Sequence, residues 1–222
     1  MNRWSLPAAI ICAAMLGGVV LCQTAPQAGG DGFVDIFNGK DLSGWVVEGR
    51  ASYEQDGEQK PVWYVEDGTI VCSGQAPGFL RYERKLTDFI VRLEYRMCKR
   101  CNSGVGIRGV PFTGAQETRP SRAGYEIQIA DDAGRDPGLH SSGSLYRYVA
   151  PKVNASKPAE EWNVMEIECR GPKIRITLND QLIHDLDQTT IEQIKDKPLA
   201  GYLSVQNHGR RIEFRNIRLK EL

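Results

Sequence analysis

Apolar residues recur at every second position through almost every patterned stretch of this chain, the period of strands half-buried in a sheet. Phe89, Val91, Leu93 and Tyr95 alternate with Ile90, Arg92, Glu94 and Arg96, and the same beat returns in residues 164–169, 173–178 and 212–219. Turn signals separate the runs: Asp67-Gly68 between residues 63–66 and 69–72, then Gly171-Pro172 and Asn179-Asp180. Only residues 190–195 suggest a helical turn or two. Many short strands joined by tight turns predict an all-β fold, an antiparallel sandwich or jelly roll.

The first thirty or so of the 222 residues look unnecessary for that fold. Arg3 precedes an apolar run from Ala8 to Leu21, which follows Pro7 and is broken by Gly17-Gly18. This reads as an export signal over 1–22, cleaved between Cys22 and Ala28, and not as a membrane span. Residues 23–32, rich in Gly, Pro, Ala and Gln, read as a flexible tether to a single domain over 33–222. The expected location is exported, periplasmic or cell surface. A lipid anchor at Cys22 is the one route to a membrane that the sequence suggests, although Leu21 stands where a lipobox places a small residue. Formal charge balances at zero without long runs of either sign, which argues against a nucleic-acid partner.

Four cysteines follow the leader: Cys72, Cys98, Cys101 and Cys169. The lone Cys98-x-x-Cys101 lacks the second pair that a zinc site needs. A local disulfide or two buried thiols are the readings left open. No strand–motif–helix context supports a redox role.

Three segments share a polar face. In Gly124-Tyr125-Glu126-Ile127-Gln128-Ile129, the apolar residues point one way and Glu126 and Gln128 the other. In residues 102–108, Asn102, Gly104, Gly106 and Arg108 lie opposite Ser103, Val105 and Ile107. In residues 203–208, Gln206 and His208 lie opposite Leu203 and Val205. If these strands are neighbours, they form a site for a polar small molecule above a glycine floor. The long loops 111–123 and 131–144 flank the Glu126 strand and are expected to rim it.

Several motifs, in order, resemble the 3-keto-disaccharide hydrolase domain family. They are Phe37-Asn38-Gly39-Lys40-Asp41-Leu42-Ser43-Gly44-Trp45, Asn102-Ser103-Gly104-Val105, the 124–129 strand, Gly143-Ser144-Leu145-Tyr146, Glu161-Trp162-Asn163, Gln206-Asn207-His208-Gly209 and Phe214-Arg215-Asn216-Ile217. The resemblance implies a concanavalin A-like jelly roll of two antiparallel sheets, and a small carbohydrate substrate oxidised to a ketone at carbon 3. Lectin-fold glucanases carry Glu-x-Asp-x-x-Glu on the corresponding strand; here the letters are Glu126-Ile127-Gln128-Ile129-Ala130-Asp131. The pair of carboxyls that retaining hydrolysis needs is therefore missing.

A 3-keto sugar needs only one base, because the ketone acidifies the carbon-2 proton. Glu126 or His208 is the expected base, and Arg108 the group that stabilises the enolate. Asn102, Gln128, Gln206, Tyr146 and Trp162 are the expected substrate-binding residues. No cofactor is required outright; a divalent metal at the ketone would take Glu126 and His208 as ligands. The rival function is a non-catalytic, lectin-like carbohydrate-binding module on the same face. Trp45 and Trp63 are expected in the core, His140 in a surface loop, and His184 at an exposed strand end.

Overall fold

The computed structural model describes residues 30–222; the segment expected to be an export signal, Cys22 and most of the expected tether lie outside the described residues. The described chain has fifteen strands: β1 (Val34–Asp35), β2 (Trp45–Glu48), β3 (Ser52–Gln55), β4 (Glu58–Pro61), β5 (Trp63–Glu66), β6 (Thr69–Cys72), β7 (Gly78–Leu86), β8 (Phe89–Met97), β9 (Asn102–Gly109), β10 (Tyr125–Ala130), β11 (Trp162–Arg170), β12 (Lys173–Leu178), β13 (Gln181–Asp187), β14 (Gly201–Asn207) and β15 (Ile212–Glu221). One large sheet runs β13-β12-β11-β8-β15-β6-β5, with β1 also on β15. A five-stranded sheet runs β10-β9-β14-β7-β2, and β3-β4 form a separate ribbon. All strand pairings of the two large sheets are antiparallel among the described residues. This is the all-β jelly-roll sandwich that the alternation predicts.

The turns form where their residues demand. Asp67 and Gly68 both take positive φ between paired Glu66 and Thr69, and Asn179 and Asp180 do so between Leu178 and Gln181. Two consecutive left-handed residues match the twist of a tight hairpin. The core lies between the sheets, where Val91, Leu93 and Ile167 of the large sheet are buried with Val105, Ile127 and Val205 of the small one. Trp45 and Trp63 are buried as expected, and Trp45 Nε1 donates to the Ile36 carbonyl at 2.8 Å.

Two expectations, for the helical turn and for His184, need correcting. The helical turn falls earlier, as a 3-10 turn over Gln188–Thr190, because Asp187 caps it by accepting from Thr189 N. Of the two readings open for the cysteines, free thiols hold: the four described cysteines are unpaired, with Cys72, Cys101 and Cys169 buried. Burial pushes the Cys72 and Cys169 thiols up to about 12, which keeps them protonated and unreactive. His184 is not exposed. Leu182 pairs with Thr177 and His184 with Ile176, so Ile183 is an extra residue and both Ile183 and His184 turn inward. His184 Nε2 then donates to the Gly143 carbonyl at 2.8 Å.

Candidate active site on the five-stranded sheet

Register fixes which side chains meet on the outer face of the five-stranded sheet. Glu126 pairs with Gly106, which pairs with Ser204, which pairs with Arg81. One step along, Gln128 pairs with Gly104, and Gln206 pairs with Phe79, which pairs with Glu48. Bulky side chains on β10 and β14 are thus separated by glycines on β9. A Cβ at Gly106 would come within 2.4 Å of Ser204 Oγ and 2.7 Å of Pro120 Cβ. The glycine floor lets neighbouring side chains lean over β9.

Loops bury this face. Residues 120–123 form a short α1 (Pro120–Ala123) that sets Pro120 above Gly106 and Ser121 near Glu126. On the other side, residues 143–146 run along the edge of β10: Gly143 N donates to Gln128 O, Gln128 N to Ser144 O, and Tyr146 N to Glu126 O. Glu126 is only 6 % exposed. Burial holds its carboxyl above the ordinary value of 4.5, while Gln206, Ser121 and the charges of Arg119 and Arg147 pull the other way.

Polar atoms crowd here without partners. Gln128 Oε1, Gln206 Oε1, Ser144 Oγ and Arg119 Nε are all buried and unbonded. Native interiors rarely leave such groups unpaired. Beside them opens a cavity of about 190 Å³ with Pro77, Phe79, Phe112, Arg119, Asn207 and His208 in its wall. The Phe79 and Phe112 rings meet edge to face at 4.9 Å, and the Arg119 guanidinium lies 5.7 Å from the Phe112 ring.

A family model, the 3-keto-alpha-glucoside-1,2-lyase-like domain, matches residues 32–220. The chain belongs to this family. It is similar to a 3-keto-disaccharide hydrolase of Bacteroides thetaiotaomicron, with 26% identity over 242 residues, covering 86% of this chain and 79% of that protein. A crystal structure of a predicted glycosyl hydrolase from Parabacteroides distasonis matches with a TM-score of 0.70 at 22% identity, covering 86% of this chain and 95% of that one. A second from the same organism gives 0.63 at 21% identity, covering 80% and 99%. At these identities the structural likeness establishes the fold.

Within this lyase-like domain the structure brings together Glu126, Gln128, Gln206 and Tyr146, with His208 exposed in the cavity wall. Asn102 lies at the start of β9, opposite Ala130. Both loops contribute as expected: Phe112 and Arg119 from one, Ser144 and the His140 carbonyl, which accepts from Gln128 Nε2 at 3.4 Å, from the other.

Arg108 is not at the site. Tyr202 pairs with Gly109 and Ser204 with Gly106, so β9 holds two residues, Ile107 and Arg108, against the single Leu203. Arg108 takes a φ of 54° in this bulge, which reverses its direction. It is buried, donating to Gln188 Oε1 at 2.9 Å and to the Gly171 carbonyl at 2.6 Å, while the Tyr125 hydroxyl donates to the same Gln188 oxygen. Trp162 is also elsewhere. It lies on the outer face of the large sheet between two guanidiniums, Arg215 at 3.8 Å and Arg96 at 4.9 Å from its ring.

Pattern reasoning missed Arg119, Arg147, Ser121 and Glu48. Arg119 and Arg147 lie in irregular loops and Ser121 in the single turn of α1, all too short or irregular for period to carry information. Glu48 ends β2, and its carboxylate binds Arg81 and accepts from Phe112 N at 2.9 Å. Asp131, the counterpart of a glucanase acid, instead accepts from Arg100 N at 2.7 Å. Unlike Glu48, Glu126 has no ion-pair partner within salt-bridge distance among the described residues; the charges of Arg119 and Arg147 act on it from farther away. Among the described residues, no group of three or more His, Cys, Asp or Glu is placed to hold a metal ion. Glu126 and His208 would hold a divalent cation only with help from substrate or water.

Proposed function

We propose that this domain is a glycosidase-like enzyme that cleaves 3-keto-glycosides by proton abstraction, elimination and hydration. One observation carries the reading: a buried carboxylate of raised pKa sits among unpaired polar atoms suited to hydroxyl groups. Family membership and the relatives' carbohydrate chemistry support it.

Glu126 takes the proton from carbon 2, and the freed electron pair moves onto the ketone oxygen at carbon 3 as an enolate. A base with a pKa lifted toward neutrality is better matched to this step than an ordinary carboxylate. Arg119 and Arg147, whose charges reach Glu126, take the stabilising role expected of Arg108. Collapse of the enolate forms a carbon 1–carbon 2 double bond and breaks the bond from carbon 1 to the leaving oxygen. His208 protonates that oxygen. Water then delivers hydroxide to carbon 1 and a proton to His208, while Glu126 returns its proton to carbon 2. Gln128 and Gln206 accept hydrogen bonds from the sugar hydroxyls and orient the ring against Glu126.

A binding module would use the same face, but it gains nothing from burying a carboxylate that costs free energy to ionise. Incubation with a 3-keto-disaccharide, following free 3-ketoglucose, separates the two readings. Turnover should be accompanied by exchange of the carbon-2 hydrogen with deuterated solvent. Turnover without exchange would exclude the elimination route, and no turnover would leave the binding module. Turnover lost to a chelator and restored by a divalent cation would place a metal at the ketone.

A further inference from the structure

The cavity that shares Arg119 with Glu126 differs in character from the polar cluster of Glu126, Gln128 and Gln206. Its walls are Pro77, Gly78, Phe79 and Phe112, with Arg119, Asn207 and His208 as the polar side chains. The Asn207 amide has no free donor. Its Nδ2 donates to the Gln75 and Ala76 carbonyls at 2.6 and 3.3 Å, and its Oδ1 accepts from Gly209 N at 3.0 Å. That leaves the Arg119 and His208 side chains as the side-chain donors free to meet a ligand, and none of the seven lining residues is a carboxylate. A second sugar in this cavity would bury several hydroxyls without partners, and each unpaired buried polar group is costly.

We infer that this cavity takes a flat aromatic leaving group, so that the preferred substrate is a 3-keto aryl glycoside. The inference rests on the function proposed above. The Phe79 and Phe112 rings, already edge to face, offer an aromatic ring the tilted or offset contacts such rings favour. A phenol has one oxygen to satisfy, the one that leaves carbon 1, and Arg119 and His208 are donors suited to it. Arg119 joins the two halves of the site, lining the cavity while its charge acts on Glu126. In the elimination step the carbon 1–oxygen bond breaks with its electron pair going to the phenolic oxygen, which leaves as phenolate or takes the His208 proton. The other product is the carbon 1–carbon 2 unsaturated ketone.

Two measurements test this. The first compares kcat/KM for a 3-keto phenyl glucoside and a 3-keto-disaccharide of the same anomeric configuration, for the native protein and for Phe112→Ala. The second follows the aromatic proton resonances of unoxidised phenyl glucoside on adding each protein, with methyl glucoside as reference, and needs no turnover. The expected result is a preference for the aryl substrate that falls about tenfold in Phe112→Ala, with line broadening of phenyl glucoside by the native protein alone. A preference for the disaccharide, or equal losses on both substrates in Phe112→Ala, overturns the aromatic cavity and leaves 3-keto cleavage standing. Broadening by the native protein alone with neither substrate turned over keeps the aromatic cavity and overturns 3-keto cleavage. No broadening and no turnover overturns both.

Discussion

The Glu126 side chain fills the space that a side chain at position 104 would need: a Cβ on Gly104 would lie 2.7 Å from Glu126 Cγ and 3.0 Å from Oε1. Gly104→Ala therefore should displace the carboxyl and leave the sheet paired. A displacement of this size is worth on the order of 100-fold in rate when it misplaces a reacting group. The expected outcome is a large fall in kcat with an unchanged circular dichroism spectrum. Unchanged kcat would mean that catalysis does not depend on where Glu126 is held.

Glu126→Gln tests the same group chemically. Loss of the base should lower kcat by roughly 10²- to 10⁴-fold. Burial raises the native pKa of Glu126 above 4.5, so the rising limb of the native pH–rate profile should have its midpoint above that value. The stability sign follows from the same shift. A raised native pKa favours the folded state below the unfolded pKa, and that contribution is lost as pH rises through the native pKa. Glu126→Gln should accordingly melt higher than the native protein at pH 7, with the advantage gone near pH 4. Equal Tm values at pH 7 would show that the buried charge costs nothing.

His184 has the opposite dependence. Burial depresses its pKa from 6.5 to about 4. The unfolded chain binds the proton first, so stability is complete above 6.5 and falls as pH drops toward 4. At about 1.4 kcal/mol per pKa unit, the loss is on the order of 3 kcal/mol. Denaturant midpoints measured from pH 7 to 4 should show this slope, and a His184→Gln variant should show much less of it. Parallel slopes would remove His184 as the cause.

Arg108 and Trp162 separate stability from chemistry. Arg108→Met leaves Gln188 Oε1 and the Gly171 carbonyl without their guanidinium donor, so Tm should fall by several degrees. Its kcat per folded molecule should stay near the native value, as should that of Trp162→Ala. A kcat loss in either variant beyond about tenfold would put that residue back at the site.

The sandwich was legible because inward and outward positions alternate wherever a strand is regular, and because Asp67-Gly68 and Asn179-Asp180 name their own turns. Alternation also placed Glu126, Gln128 and Gln206 on one face. It failed at irregularities of a single residue. The bulge at Ile107–Arg108 inverts Arg108, and the one at Ile183 buries His184. A trace of the first was present: a Cβ at Gly124 or Gly201 would strike the Arg108 backbone at 2.5 or 2.2 Å, so two distant glycines mark where that backbone swells. Trp162 was misplaced for another reason. Its strand pairs with β8, not β9, and pairing partners are not written in a strand's own sequence. Arg119 and Arg147 come from irregular loops, where spacing does not constrain direction.

The backbone bonds from residues 143–146 to β10 have a consequence for solubility. β10 is the last strand of its sheet, and its core side presents Tyr125, Ile127 and Ile129. Without a covering segment it would be a bare apolar margin able to recruit another chain by strand addition. The loop that supplies Ser144 and Tyr146 to the site thus also keeps molecules apart. A chain shortened there should self-associate, so the length of this loop is constrained by colloidal behaviour as well as by its place at the candidate site.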